Sequence, residues 1–192
     1  FAITSLAGLK FVQEFVNGSR PWGNGSSKSV NYYPKARTDN AFGGKTVHLV
    51  SDIDLNNELW MPIGWSMNGE GTDPRITGEK YHFFGNFDAG IYDSNDALTG
   101  NHVISNLKID MSDPGKAKDY YVGFISYQHT GGTKIANLTI HNADVSGYTR
   151  TGVFVGSLQN GAAIENCKVT GTISVVNKGT TYDSAGTGGI VG

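Results

Sequence analysis

The chain has a single cysteine, Cys167, among 192 residues. No disulfide can close within it, and both a disulfide-stapled small fold and a zinc site of several cysteines are excluded. Charged residues make up only 17%, and the formal net charge is −2. That leaves no basic face with which to hold a nucleic acid. No apolar run reaches the roughly 18 residues of a membrane-spanning helix. Helical periodicity is nearly absent as well, since past residue 18 no stretch carries it. No basic segment followed by an apolar core marks a secretory leader. The chain opens on Phe1 and closes on Gly188-Gly189-Ile190-Val191-Gly192, and it reads as a mature or trimmed piece of something longer.

What is present in excess is glycine, 27 of 192 residues against an average near 7%, together with 16 Asn, 15 Ser and 16 Thr. These are turn formers rather than helix formers. Hydrophobic residues at 38% and aromatics at 11% suffice for a core, which excludes disorder. Leu6, Leu9, Val12, Phe15 and Val16 recur at helical spacing, Thr4 or Ser5 offers an N-cap oxygen, and Gly18 a stop, so the spacing predicts a helix over about 5–17. Residues 19–44 form a polar, Gly- and Pro-punctuated connection. From Thr46 the period becomes two. Val47, Leu49, Ser51, Ile53 and Leu55 share one face, and His48, Asp52 and Asp54 the other, as in a half-buried strand.

A repeat then dominates. Ile104-Ser105-Asn106-Leu107-Lys108-Ile109 returns as Ile135-Ala136-Asn137-Leu138-Thr139-Ile140 and as Ile164-Glu165-Asn166-Cys167-Lys168-Val169. In phase with it, Val122-Gly123-Phe124-Ile125-Ser126 returns as Gly152-Val153-Phe154-Val155-Gly156 and as the closing Gly-Gly-Ile-Val-Gly. A period of about 30 residues without long amphipathic helices indicates stacked β units, and a propeller would need blades of about 40 residues. The expected fold is all-β: a right-handed parallel β-helix, a solenoid of about 30 residues per coil, with an N-terminal α-helical cap. Residues 1–45 form the cap and its connection, and residues 46–192 the repeats. Asn106, Asn137 and Asn166 would stack as one ladder in left-handed bends, bonding backbone groups of neighbouring coils. Ile104/Ile135/Ile164, Leu107/Leu138/Cys167, Ile109/Ile140/Val169 and Phe124/Phe154/Ile190 would form inward stacks. The C-terminal coil would be left open to further coils or to an end-to-end contact.

These residues resemble a known family. Leu49-Val50-Ser51-Asp52-Ile53-Asp54-Leu55, Trp60-Met61-Pro62-Ile63-Gly64, Phe84-Gly85-Asn86-Phe87-Asp88-Ala89-Gly90, Asn101-His102-Val103-Ile104-Ser105-Asn106-Leu107 and the Gly-Gly-Ile-Val-Gly ending occur in the order of the GLUG-type repeats of bacterial surface proteins. That group includes adhesin-like proteins and the N-terminal regions of IgA-cleaving metallopeptidases. Ala89 departs from the pattern, and residues 19–44 and 91–100 fall outside it. The resemblance implies a right-handed parallel β-helix on a secreted or surface-anchored bacterial protein. The His-Glu-x-x-His motif that the peptidases use is not in this sequence.

Two groups of residues are candidates for a site. Asp52, Asp54 and Asp88 could hold Ca2+ or work as acid and base, against the plainer role of bonding backbone amides. His48, on the same face, could share such a cation. Otherwise no cofactor is implied. Trp22, Tyr32, Tyr33 and Trp65 lie in Gly-rich segments and could stack on sugar rings, whereas Trp60, Phe84 and Phe87 fit the core. Cys167 takes a slot that Leu fills elsewhere, as a small buried hydrophobe. No catalytic constellation is legible. The expectation is a non-catalytic, adhesin-like extracellular module binding a glycan or a host or matrix protein. A polysaccharide-acting β-helix enzyme and a pure spacer are the alternatives.

Overall fold

The computed structural model describes residues 1–17, 41–64, 83–112, 121–128, 133–179 and 186–192. Strand β1 (Ala2–Ile3) leads into helix α1 (Leu6–Asn17). The helix forms where the apolar spacing places it. Ser5 Oγ accepts the Gly8 N–H at 3.3 Å as the N-cap, and Leu9, Val12 and Val16 are buried on one side. The last residue, Asn17, is buried and fully engaged. Its Nδ2 donates to the Pro62 carbonyl at 2.8 Å and its Oδ1 accepts the Gly64 N–H at 2.6 Å. Gln13 donates to the Met61 carbonyl. These bonds tie α1 to the segment 61–64.

The other regular elements of the described chain are strands. In order these are β2 (Thr46–Leu49), β3 (Ile53–Asp54), β4 (Asn86–Asp88), β5 (Gly90–Tyr92), β6 (Leu98–Asn101), β7 (Val103–Asp110), β8 (Ile125–Gln128), β9 (Lys134–Ala136), β10 (Thr139–Gly147), β11 (Val155–Leu158), β12 (Ala163–Glu165) and β13 (Lys168–Asn177). Among the described residues the protein is all-β with one short helix. Three sheets, ordered β1-β2-β4-β9-β12, β3-β7-β10-β13 and β8-β11, are parallel throughout and add their strands in chain order. Among the described residues the one antiparallel pair of strands is the hairpin β5–β6.

Two expectations about local structure need correction. Residues 46–55 keep their alternation, with Val47, Leu49, Ile53 and Leu55 all buried, but they are not one strand. The chain changes sheet between Leu49 and Ile53, so β2 and β3 pair with different neighbours. The repeats also stack in a different register. Ile135 lies beside Ile164 and Ile140 beside Val169, as the motif suggests. Ile104, however, lies beside Ile140 rather than Ile135, Leu107 beside Ala143, and Ile109 beside Val145. Phe87 takes the place next to Ile135, and Lys108 stands beside Asp144 rather than Thr139. The reason is the hairpin. His102 N–H donates to the Ala89 carbonyl at 2.7 Å, closing the corner across residues 90–101, which protrude as an insertion.

The asparagines do adopt left-handed backbone. Asn106, Asn137, Asn142 and Asn166 have φ of 58°, 57°, 57° and 48°, a region that Asn tolerates better than other side chains. They form two ladders instead of one, bonded chiefly side chain to side chain. In the first, Asn166 donates to Asn137 Oδ1 at 2.9 Å and Asn137 to Asp88 Oδ1 at 2.8 Å. In the second, Asn142 donates to Asn106 Oδ1 at 3.1 Å and Asn106 to Asp54 Oδ1 at 2.8 Å, while Asn142 Oδ1 accepts the Thr172 N–H.

Phe87, Phe124 and Phe154 lie at the centre of the core, fully buried. Trp60 stacks on Phe124 at 5.4 Å and donates its indole N–H to the Phe124 carbonyl. Phe124, Phe154 and Ile190 follow one another in the order of the second repeat, because Phe124 N–H bonds the Val153 carbonyl and Phe154 N–H the Ile190 carbonyl, but only the two phenylalanines point inward: Ile190 is exposed. Trp60, Phe84 and Phe87 are core residues. The glycines of this repeat sit where backbones nearly touch: a Cβ on Gly152 would fall 2.6 Å from the Gly192 nitrogen. Burial fades toward the last strand. Ile140 and Val145 are fully buried, whereas their neighbours Val169 and Val175 are only partly covered, and Ile173 and Val176 are exposed.

Candidate functional site

Asp52, Asp54 and Asp88 each have partners of their own. Asp52 Oδ1 accepts the Val103 N–H at 2.9 Å and lies 3.0 Å from His102 Nδ1. Asp54 Oδ1 accepts the Asn56 N–H at 2.7 Å and the Asn106 amide. Those two bonds, the backbone one foremost, hold the Asp54 carboxyl below its ordinary value. Asp88 heads the first asparagine ladder in the other large sheet. No group of three or more His, Cys, Asp or Glu side chains that could hold a metal ion occurs among the described residues, so the three carboxylates do not gather into one site. His48 stands not with Asp52 and Asp54 but 3.4 Å from Asp88 Oδ2. His102 is the residue that meets Asp52. Trp22, Tyr32, Tyr33 and Trp65 lie outside the described residues, as do His82 and His129.

Asp88 organises a groove that no sequence motif marks. Strands β2, β4, β9 and β12 lie side by side, with Val47, Phe87, Ile135 and Ile164 turned to the core. Alternation then sends His48, Asp88, Ala136 and Glu165 to the outer face in one row, and Thr46, Asn86 and Lys134 in the next. Ala136 is small and leaves a depression. The hairpin walls it on one side with Tyr92, and Lys134 and Glu165 wall it on the other, enclosing about 180 Å³.

The wall is held in place by a closed hydrogen-bond network. Asp88 Oδ1 accepts the Gly90 N–H at 3.1 Å and the Asn137 amide at 2.8 Å. Asp88 Oδ2 accepts the Tyr92 hydroxyl at 3.0 Å. The Tyr92 oxygen accepts in turn from Asn137 Nδ2 at 3.0 Å. Burial first, and the neighbouring Asp88 second, push the Tyr92 hydroxyl above its ordinary pKa, so it stays a neutral donor. Gly90 makes this fold-back feasible: a Cβ there would fall 2.6 Å from the Tyr92 ring. Across the groove, Lys134 Nζ bonds Glu165 Oε2 at 2.9 Å, and that pair raises the Lys134 pKa. Both side chains remain about half exposed.

Cys167 lies at the edge of the core, packed against it. Its thiol donates to the Glu165 carbonyl at 3.3 Å, and burial pushes its pKa up. A thiol kept neutral in this way is a packing group rather than a nucleophile.

No helix among the described residues is long and apolar enough to cross a membrane. Residues 147–174, which run from the end of β10 through β11 and β12 into β13, match the family model of the GLUG motif. That match supports a GLUG-repeat relationship for this part of the chain. No curated protein and no solved structure matches the chain.

Proposed function

We propose that this chain is a non-catalytic, adhesin-like module of a secreted or surface-anchored bacterial protein, wound as a right-handed parallel β-helix, and that it binds an extracellular glycan or matrix protein on its lateral face. The winding is supported by strands that pair in parallel with partners 29, 30 or 36 residues on. The extracellular setting is supported by the GLUG match at 147–174. The observation that carries the binding role is the outer-face groove beneath Tyr92, to which side chains from four successive parallel strands contribute. A rigid sheet is a good carrier for such a constellation, because its registers fix side-chain positions that a loop would leave free. No cofactor is needed for this role.

A second reading, a polysaccharide-acting enzyme, is favoured by one contact only: His48, Asp88 and Tyr92 meet in the same groove. The Asp88 carboxylate is committed to Gly90, Asn137 and Tyr92, which suits a structural anchor better than a general base. The test is retention of the chain on immobilised host glycans, bacterial polysaccharides and matrix proteins, with the soluble phase assayed for new reducing ends. Retention without products supports the module. Release of products moves the reading to the enzyme, and no retention on any surface leaves a spacer.

A further inference from the structure

Resting on that reading, we infer that the groove takes an uncharged sugar ring, stacked on Tyr92 and hydrogen-bonded to Lys134 and Glu165. The groove holds two carboxylates and one ammonium, and each has its counterpart inside the site. Lys134 is paired with Glu165, and Asp88 is met by three hydrogen-bond donors and flanked by His48. An acidic sugar would have to draw Lys134 away from Glu165, and a cationic one would find Asp88 already saturated. A neutral polyol disturbs neither.

The remaining capacity fits such a ligand. Lys134 has two N–H groups beyond the one on Glu165, and the second Glu165 oxygen has no bond among those described above. An ammonium and a carboxylate side by side can donate to one hydroxyl and accept from the next, which matches vicinal sugar hydroxyls. Tyr92 supplies the apolar element. Its hydroxyl is fixed by Asp88 and Asn137, while the residue as a whole stays 45% exposed at the groove. A ring immobilised in this way presents its face without further loss of side-chain freedom on binding. A volume of about 180 Å³ admits one sugar ring rather than a chain, so an oligosaccharide would leave its other rings along the outer sheet face. The hairpin β5–β6 is therefore the specificity element, because it brings Tyr92 to this sheet.

The experiment is isothermal titration of the chain with xylohexaose, cellohexaose and mannohexaose, and in parallel with oligogalacturonate and a hyaluronan hexamer, at low and high salt. At least one neutral hexamer is expected to bind with an affinity indifferent to salt, because no net charge is neutralised. Tyr92→Ala should weaken it roughly tenfold or more, while Tyr92→Trp, which keeps a stacking face, should stay within about threefold. Glu165→Gln should weaken it without changing the melting temperature, since that side chain is outside the core. Salt-sensitive binding of the acidic oligosaccharides alone would overturn the ligand class. Neutral binding that Tyr92→Ala leaves untouched, with the variant folded by circular dichroism, would overturn the site and leave the module's glycan role standing. Retention on matrix protein with no glycan bound would overturn this inference but not the module. Failure on every surface would remove both.

Discussion

Asn137 occupies left-handed backbone and its amide bonds Asp88, Tyr92 and Asn166 at once. Replacing it with Ala keeps an unfavourable φ that costs about 1–2 kcal/mol for an ordinary side chain and removes bonds worth about 1 kcal/mol each. Asn137→Ala should therefore lower unfolding free energy by about 4–5 kcal/mol, and Asn137→Gly by clearly less, measured by urea denaturation. Asp54 offers a pH test. Its folded-state pKa lies below that of the unfolded chain, so its stabilising contribution is complete above about 3.9 and is lost as pH falls through the folded value. The Asp54 carboxyl should titrate, by carbon-detected NMR, below the same residue in an unstructured peptide. Asn106→Ala should move it upward.

At the scale of elements, what sequence reasoning could and could not find has a physical cause. Helix α1 was legible because five apolar residues and a serine cap each speak for the same local structure. The left-handed bends were legible because Asn marks them. The stacking register was not, since the five-letter motif around Asn106 matches the one around Asn137 while the fold places Asn106 against Asn142. The two later repeats each carry two left-handed bends, at Asn137 and Asn142 and at Asn166 and Gly171, whereas the repeat with the hairpin keeps only the second, at Asn106. The groove could not be read at all, because His48, Asp88, Lys134 and Glu165 are brought together by pairing between strands far apart in sequence. The hairpin itself is separable from the sheet it decorates. Ala89 and His102 are already bonded across its base, so deleting residues 91–100 should leave far-UV circular dichroism unchanged while abolishing groove binding. Intact, the hairpin should report on Tyr92. Its phenol pKa is raised in the folded state, so the contribution is complete below about 10 and is lost as pH rises through the folded value. Ultraviolet difference titration of the protein against its Tyr92→Phe variant should show Tyr92 ionising later than free tyrosine.

Across the whole molecule, burial is graded along the order of strands. Strand β10 is paired on both sides, by β7 and β13, while β13 has one neighbour and mostly exposed side chains. Amide hydrogen exchange should accordingly be slowest in β10 and fastest in β13, with α1 holding the opposite end. Equal protection along the stack would mean that it opens as a single unit.

The strand order has a mechanical meaning too. In every parallel sheet the next strand in space is a later one in the chain, so the two ends of the polypeptide lie at opposite ends of each stack. A load applied between those ends pulls strands apart one after another instead of shearing them all together. The outermost step would release the 29 residues that separate Ile140 from Val169, and the next the 36 that separate Ile104 from Ile140, or about 10 and 12 nm of contour at roughly 3.4 Å per residue. A protein so built would lengthen in increments under tension, resisting with a low and repeated force in place of one abrupt failure.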